Sequence, residues 1–269
     1  MKIKRYEIEI LADDTENKFS RSPARGALMH GLLMEQAGGD HLHEGTNSIR
    51  PYTQSIKPTQ GNRWLWTVNL LDSERAKSIS DWLEALPRQL FVKHYNLELL
   101  PVKCILSEDS KYSDLIEQSF LEEPEKFITV NFSSPTAFKR AGNGNYWLWP
   151  EPRLLAQSSL NRWNAFSDGG TFEDRELLED IAQQVHVQSY DLRSVNVSMD
   201  GIAFCGSVGR VSMNIHRNKA VRQMFGLLCA YARYSGVGIK TAMGLGATDW
   251  SRKPTSRNTT NNHRILQRV

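Results

Sequence analysis

Residues Lys4 to Leu11 alternate strictly, with Tyr6, Ile8 and Ile10 on one face and Arg5, Glu7 and Glu9 on the other, the period-two signature of a half-buried strand. Ser22-Pro23 then supplies an N-cap and a first-turn proline, so a helix is expected from there to about Gln36, with Leu28, Met29, Leu32 and Leu33 as its apolar stripe. Arg63 to Leu71 predicts a second strand. Ser73 to Leu86 predicts a second helix, with Ile79, Leu83 and Leu86 at helical spacing, and Leu90 to Val92 and Leu97 to Leu106 read as extended. The first half thus resembles a βαββαβ unit whose later strand order stays open. The acidic, proline-containing stretch Glu117 to Lys126 reads as a linker, and after it the pattern restarts. A strand is expected at Phe127 to Phe132, helices at about Pro152 to Phe166 and Phe172 to Gln184, and strands at Val187 to Met199 and Ile202 to Ile215. Asp200-Gly201 between those two strands is a hairpin signal. A helix from Lys219 to Tyr234 and a glycine-broken final strand complete the series. The same unit therefore occurs twice, without sequence identity between the halves. It predicts an α+β fold of two tandem ferredoxin-like (RRM-like) domains, residues 1–116 and 127–250, joined by a linker at 117–126 and followed by a basic, disordered tail at 251–269.

Composition narrows the class without naming a function. A chain of 269 residues can bury one large core or two ordinary ones, and 40% hydrophobic with 23% charged residues is the balance of a soluble globular protein. No apolar run approaches the length of a membrane span, and Met1-Lys2-Ile3-Lys4-Arg5 enters the first strand without a signal-peptide core, so a cytoplasmic protein with no membrane partner is expected. Cys104, Cys205 and Cys229 are odd in number, far apart and set among apolar residues, which predicts buried free thiols rather than disulfides or a zinc site. The net charge of +3 is mild but uneven: Arg252, Lys253, Arg257, Arg264 and Arg268 lie in a C-terminal stretch with no acidic residue. Such a tail adds affinity for nucleic acid, or is simply a solvated end.

The candidate binding chemistry is at Gly236-Val237-Gly238-Ile239-Lys240-Thr241-Ala242-Met243-Gly244-Leu245-Gly246, two Gly-hydrophobic-Gly units flanking a lysine. Glycines spaced around Lys240 and Thr241 suit a loop whose N–H groups hold phosphates. Glycines in this setting also mark bulges or tight packing that bind nothing. A Walker loop is excluded, because the Lys-Thr pair sits inside the glycine frame instead of following it. A dinucleotide fingerprint is excluded too, because it opens a βαβ unit, whereas Gly236 lies after the last helix.

The candidate reactive chemistry is in the first half. His30, His41 and His43 crowd one region, and imidazole is the side chain that exchanges protons near neutral pH. On a helical wheel His30 points roughly 130° away from the apolar stripe, toward the outside. His41 and His43 follow Gly38-Gly39 in a loop that leads to Arg50 and Tyr52. Two histidines and an arginine suffice for metal-free RNA cleavage: one imidazole deprotonates the ribose 2′-hydroxyl, a second acid protonates the departing 5′-oxygen, and a guanidinium stabilises charge on phosphorus. His-x-His can also ligate a metal, although no third His or Cys ligand is near.

With these motifs in hand, the whole chain resembles the CRISPR-associated endoribonucleases that cut precursor CRISPR RNA within each repeat, members of the repeat-associated RNA-binding superfamily built on tandem ferredoxin-like domains. Their C-terminal glycine signature is matched in full at Gly236 to Gly246. A helical His or Tyr, a Leu-His pair, a basic residue and an aromatic-Thr-x-Ser strand are matched by His30, Leu42-His43, Arg50 and Tyr52-Thr53-Gln54-Ser55. Phe132-Ser133-Ser134-Pro135-Thr136-Ala137-Phe138 is similar to the segment that opens the family's second domain. The resemblance implies His43 as general base, His30 as partner acid and Arg50 as transition-state clamp, with base and acid exchangeable and His41 a substitute for His43. It places Gly236, Gly238, Lys240, Thr241, Gly244 and Gly246 against the RNA backbone, with Arg210 as a further contact. Tyr146, Trp147 and Trp149 are candidates to stack on unpaired bases, or core aromatics.

The implied partner is CRISPR repeat RNA, alone or together with other effector subunits, on a monomer or homodimer. No cofactor and no metal are implied. Two alternatives remain at this stage: a guide-RNA-binding subunit of the same superfamily that cuts nothing, and a metal-dependent hydrolase using His41 and His43.

Overall fold

A computed structural model describes residues 1–12, 14, 18–22, 25–37, 49–93, 96–139, 146–172, 174–199, 202–216 and 218–252. In the first half, β1 (Lys2–Ala12) leads through the single turn α1 (Lys18–Arg21) to α2 (Arg25–Gln36). The hairpin β2 (Tyr52–Pro58) and β3 (Arg63–Leu70), α3 (Lys77–Glu84), β4 (Leu90–Val92) and β5 (Leu97–Lys111) follow. All neighbours in the resulting sheet are antiparallel, in the order β2-β3-β1-β5-β4. After α4 (Tyr112–Leu121) the second half runs β6 (Phe127–Thr136), a small ribbon of β7 (Phe138–Lys139) and β8 (Tyr146–Trp147), α5 (Pro152–Phe166), α6 (Asp174–Gln184), β9 (Val185–Met199), β10 (Ile202–Ile215), α7 (Lys219–Ser235) and β11 (Thr248–Ser251). Its sheet order is β11-β6-β10-β9.

The two sheets carry one connectivity. In each, the first strand lies between the last and the third, with the second strand at an edge, which is the ferredoxin-like βαββαβ arrangement. The alternation in β1 buries Ile8 and Ile10 completely and Tyr6 almost so, against Met29, Leu32 and Leu33 of α2 and Ile79 and Leu83 of α3. Val130, Val211 and Met213 make the corresponding surface under α5, α6 and α7. A third cluster joins the halves: Ile3, Leu71, Tyr112 and Leu115 pack on Trp163, Phe166, Leu227 and Tyr231. There Tyr112 meets Trp163 edge to face at 5.0 Å, and its hydroxyl donates to the Leu71 carbonyl at 2.8 Å. Each such aromatic contact contributes roughly 0.5–1.5 kcal/mol beyond the apolar area it buries, so the junction is a packed core and not a tether.

Four sequence expectations change. The stretch expected to be a linker is helical up to Leu121, because Tyr112 and Leu115, one turn apart, find a partner surface in the second half; the Asp114 carboxylate accepts from the Lys111 amide (2.8 Å) at its first turn. Residues 122–126 alone are extended or bent. The second helix starts at Lys77 rather than Ser73, since buried Asp72 captures the amides of Glu74 and Arg75 in a turn (3.1 Å each). The glycine-rich stretch is a loop with one 3₁₀ turn, Thr241–Met243, and the final strand follows it. Of the three free thiols only Cys229 is buried, with Cys104 and Cys205 half-buried. The Asp200-Gly201 turn and the tail beyond Arg252 lie outside the described residues. Among the described residues no helix is long and apolar enough to cross a membrane.

Candidate active site

Helix α2 lies across β2, and their rises match. Residues four apart on a helix are about 6 Å apart along its axis, and alternate residues of a strand about 6.6 Å. His30 therefore meets Tyr52 while Gly26, one turn earlier, meets Gln54. The Tyr52 hydroxyl lies 2.7 Å from His30 Nδ1, with the rings 6.2 Å apart and nearly parallel at 20°. Gln54 Nε2 donates to the Gly26 carbonyl at 3.0 Å and to the Ala242 carbonyl at 2.8 Å, and Gln54 Oε1 accepts from the Trp66 indole at 2.6 Å. Tyr52 and Gln54 are both buried. His30 is half-buried and turned toward β2, not fully outward as its angle on the wheel suggested.

Burial pushes the Tyr52 phenol well above its ordinary range, while the Arg50 guanidinium pulls in the opposite direction; burial prevails, and Tyr52 stays protonated across the physiological range. His30 thus contacts the Tyr52 hydroxyl directly, and Arg50 acts on it through its charge. His41 and His43 lie outside the described residues, in the segment between Ala37 and Ile49.

The glycine loop packs on the same corner. Gly236, Gly238, Gly244 and Gly246 all take positive φ. At Gly244 (φ 89°) a Cβ would come within 2.7 Å of the Gly26 Cα, so the loop touches the first turn of the helix that carries His30. At Gly246 (φ 66°) a Cβ would collide with the Val237 carbonyl. The expectation that these amides cradle phosphate gives way: those of Gly236, Gly238, Gly244 and Gly246 are donated to Ala232 O (2.8 Å), Ser158 Oγ (2.7 Å), Thr241 O (3.3 Å) and Pro135 O (3.0 Å). Thr241 is buried, and its hydroxyl accepts from Arg162 Nη2 at 3.2 Å. The same guanidinium donates to the Gly238 carbonyl (2.9 Å) and to Ser158, and no carboxylate among the described residues pairs with it. Burial lowers Arg162 to about 10, which leaves it cationic at neutral pH. Lys240, held in the left-handed conformation at φ 53°, is the half-exposed cation of this loop. The glycines shape and dock the loop, and its charges are Lys240 outside and Arg162 beneath.

Beside this corner a polar cleft opens between the two sheets, lined by Arg5, Thr53, Lys57, Asn131 and Arg233 among others, with Gly236 at its wall. Arg5 is paired with Glu7 and Arg233 with Glu108. Arg210 stands opposite Asn131 across the second sheet and reaches Asp191 on β9 at 3.6 Å, so it is partly neutralised. The candidate stacking aromatics divide: Tyr146 packs on Phe204 and Trp149 edge-on to Tyr190, both at 5.0 Å, while Trp147 is 36% exposed. Among the described residues no cluster of His, Cys, Asp or Glu is suited to a metal.

Gln54, Gly26 and Arg162 were missed by residue-type reasoning. Gln54 carried a usable signal: it is the polar member between Tyr52 and Ile56 on a strand face that should be apolar. Arg162 carried none, being one more basic residue on an amphipathic helix.

Residues 130–248 match the family model described as CRISPR-associated endoribonuclease Cas6. A Cas6 endoribonuclease of Mycobacterium tuberculosis is 24% identical over 229 residues, 85% of this chain and 72% of that protein. One from Streptococcus thermophilus is 24% identical over 223 residues, 81% of this chain and 87% of that protein. Among solved structures, a Cas6 product complex superposes with a TM-score of 0.74 at 23% identity, covering 93% of this chain and all of the other. Thermus thermophilus Cas6 gives 0.73 at 21%, covering 93% and 98%. Motifs, fold and relatives agree: residues 130–248 match the Cas6 family model, and the chain as a whole is similar to CRISPR-associated Cas6 endoribonucleases.

Proposed function

We propose that this protein is an endoribonuclease that processes precursor CRISPR RNA, cutting within each repeat without a metal. The observation that carries the reading is the corner where His30 meets the Tyr52 hydroxyl on a helix whose first turn packs on the glycine loop, within the field of the Arg50 guanidinium. A base takes the proton of the ribose 2′-hydroxyl, whose oxygen forms a bond to phosphorus; the P–O5′ bond breaks and its oxygen receives a proton from an acid. Arg50 is the group suited to balance charge on the five-coordinate phosphorus. The products are a 2′,3′-cyclic phosphate and a 5′-hydroxyl. His30 and His43 share the two proton transfers, each typically worth about 10²–10⁴ in rate. Lys240 supplies a backbone contact that fixes register without reading sequence, and the polar cleft and Arg210 extend a path for the strand. The setting is the cytoplasm, where the repeat RNA is made.

Variants His30→Ala, His43→Ala and Arg50→Ala test the assignment in single-turnover cleavage of repeat RNA with EDTA present. Cleavage is expected to fall by two or more orders of magnitude in each, consistent with the loss of a proton-transfer group or clamp, while RNA affinity is retained. Normal cutting by any one of them removes that residue from the site.

A further inference from the structure

A sheet edge presents a row of unpaired amides and carbonyls, and proteins that must stay apart blunt such edges with bulges, prolines and lysines. This molecule treats its two long edges differently. Beyond Leu99, where its pairing with β4 ends, β5 carries Pro101, Lys103 and two register shifts against β1. The outer strand of the second sheet is β9, on the side away from the cleft that β6 and β11 share with the first half. Its register shift against β10 leaves out Gln188, so residues 189–195 (Ser-Tyr-Asp-Leu-Arg-Ser-Val) form a regular edge with no Pro, Gly or Lys. No strand pairs with that edge among the described residues.

The charges on this edge are self-complementary. The Asp191 side chain is 78% exposed and lies 3.6 Å from Arg210, while Arg193 is exposed and has no ion pair among the described residues. In an antiparallel pairing of two copies of β9 centred on Leu192, Asp191 of each copy faces Arg193 of the other, Tyr190 faces Ser194 and Ser189 faces Val195. Facing residues share a side of the sheet, so both ion pairs form on the face that carries Arg210. Moving the centre by one residue sets Asp191 against Asp191 or Arg193 against Arg193, and like charges directly opposite are destabilising. Charge therefore selects one register. On the other face Tyr190, 63% exposed and edge-on to Trp149 at 5.0 Å, covers Ser194 of the second copy.

We propose that residues 189–195 of β9 are the docking edge for a second copy of this chain, joining two four-stranded sheets into one across a two-fold axis at Leu192. An isologous contact of this kind closes on itself, so it makes dimers and not fibres. It is built on a single strand pair, which places it among small, reversible interfaces and makes it sensitive to its two ion pairs. In the dimer Asp191 has a second cation to balance, and Arg210 of both copies lies on one continuous face.

Sedimentation equilibrium of the whole chain without RNA tests it. The wild type should show a reversible monomer–dimer equilibrium. Asp191→Arg and Arg193→Asp each turn two attractive cross-strand pairs into two repulsive ones, so each should weaken dimerisation by at least about tenfold with the circular dichroism spectrum unchanged. The double variant Asp191→Arg/Arg193→Asp restores the complementary pattern and should return the Kd to within about threefold of wild type. Register is read separately: under oxidation that leaves the wild type uncrosslinked, Tyr190→Cys and Ser194→Cys proteins should form a disulfide when mixed, and neither should do so alone. A wild type that stays monomeric at every concentration reached overturns the proposal, as does a dimer that neither single reversal weakens or that the double variant fails to restore. If Arg193→Asp weakens RNA binding in a protein that is monomeric throughout, the edge serves the nucleic acid and not a second copy.

Discussion

Replacing Gln54 by Leu is the perturbation that most directly probes how the two halves are held at the site. Leucine fits the volume of the glutamine but satisfies none of its three partners. The Trp66 indole N–H, 2.6 Å from Gln54 Oε1, loses its acceptor, and the Ala242 carbonyl, 2.8 Å from Nε2, loses its donor. The Gly26 carbonyl at 3.0 Å loses one of its bonds but, at the start of α2, keeps its place in the helical ladder. Stranding a buried donor or acceptor costs about 1–3 kcal/mol, and losing one bond of two about 1 kcal/mol; for two stranded groups and one weakened one the sum is roughly 3–7 kcal/mol. At about 2–4 °C per kcal/mol for a chain of this size, that lowers the melting temperature by roughly 6–28 °C. Differential scanning calorimetry reads the shift. Trp66→Phe, which strands only the Gln54 carbonyl oxygen, should cost about a third as much. A Gln54→Leu protein melting within about 2 °C of wild type, or a Trp66→Phe protein less stable than Gln54→Leu, would refute the idea that this amide bridges α2 to the glycine loop.

Gly244→Ala must both adopt a positive φ and displace the Gly26 backbone, so it should lower stability by at least about 2 kcal/mol, whereas Gly31→Ala, on an open helix face with nothing near, should be neutral or stabilising by up to about 1 kcal/mol; thermal melts rank the two. Burial raises the hydroxyls of Tyr6, Tyr52, Tyr112 and Tyr231 and raises Tyr234 to about 12, against an ordinary value near 10. Because the unfolded chain releases these protons first, the stability they confer is complete below pH 10 and is lost as pH rises from 10 through 12, so ultraviolet titration should find these five of the eight tyrosines ionising only on unfolding. Buried Cys229, its thiol pushed far up by burial, should resist alkylation in the native protein and react once guanidinium unfolds it, ahead of which only Cys104 and Cys205 are available; native modification of Cys229 would contradict the packing of α7.

Element types were legible wherever burial is one-sided. The alternation of β1 records the face it buries, and α5 and α7 were legible as helices although each packs both on the second-half core and on the junction cluster. What the period hid is what lies between the halves. Strand β2 was visible only through its motif, because Thr53 and Gln54 are polar residues buried at the junction, where Thr53 donates to the Tyr234 carbonyl at 2.5 Å. The early end of the linker failed for the same reason, since Tyr112 and Leu115 face a partner surface that no local pattern announces. Of the site, His30 and Arg50 were legible as residue types in a familiar spacing, and the contact of His30 with the Tyr52 hydroxyl was not. The glycine signature was legible as a motif that left phosphate binding and tight packing both open; φ and backbone clearance explain why glycine stands at Gly244 and Gly246.

Purified protein incubated with its repeat RNA in excess EDTA, with product ends analysed by mass, tests the central claim most directly. A metal-free acid–base ribonuclease cuts once per repeat, leaves a 2′,3′-cyclic phosphate upstream and a 5′-hydroxyl downstream, and leaves intact an RNA with 2′-deoxyribose before the scissile phosphate. Absence of product in EDTA with recovery on adding a divalent metal, or cutting of the 2′-deoxy substrate, would contradict it.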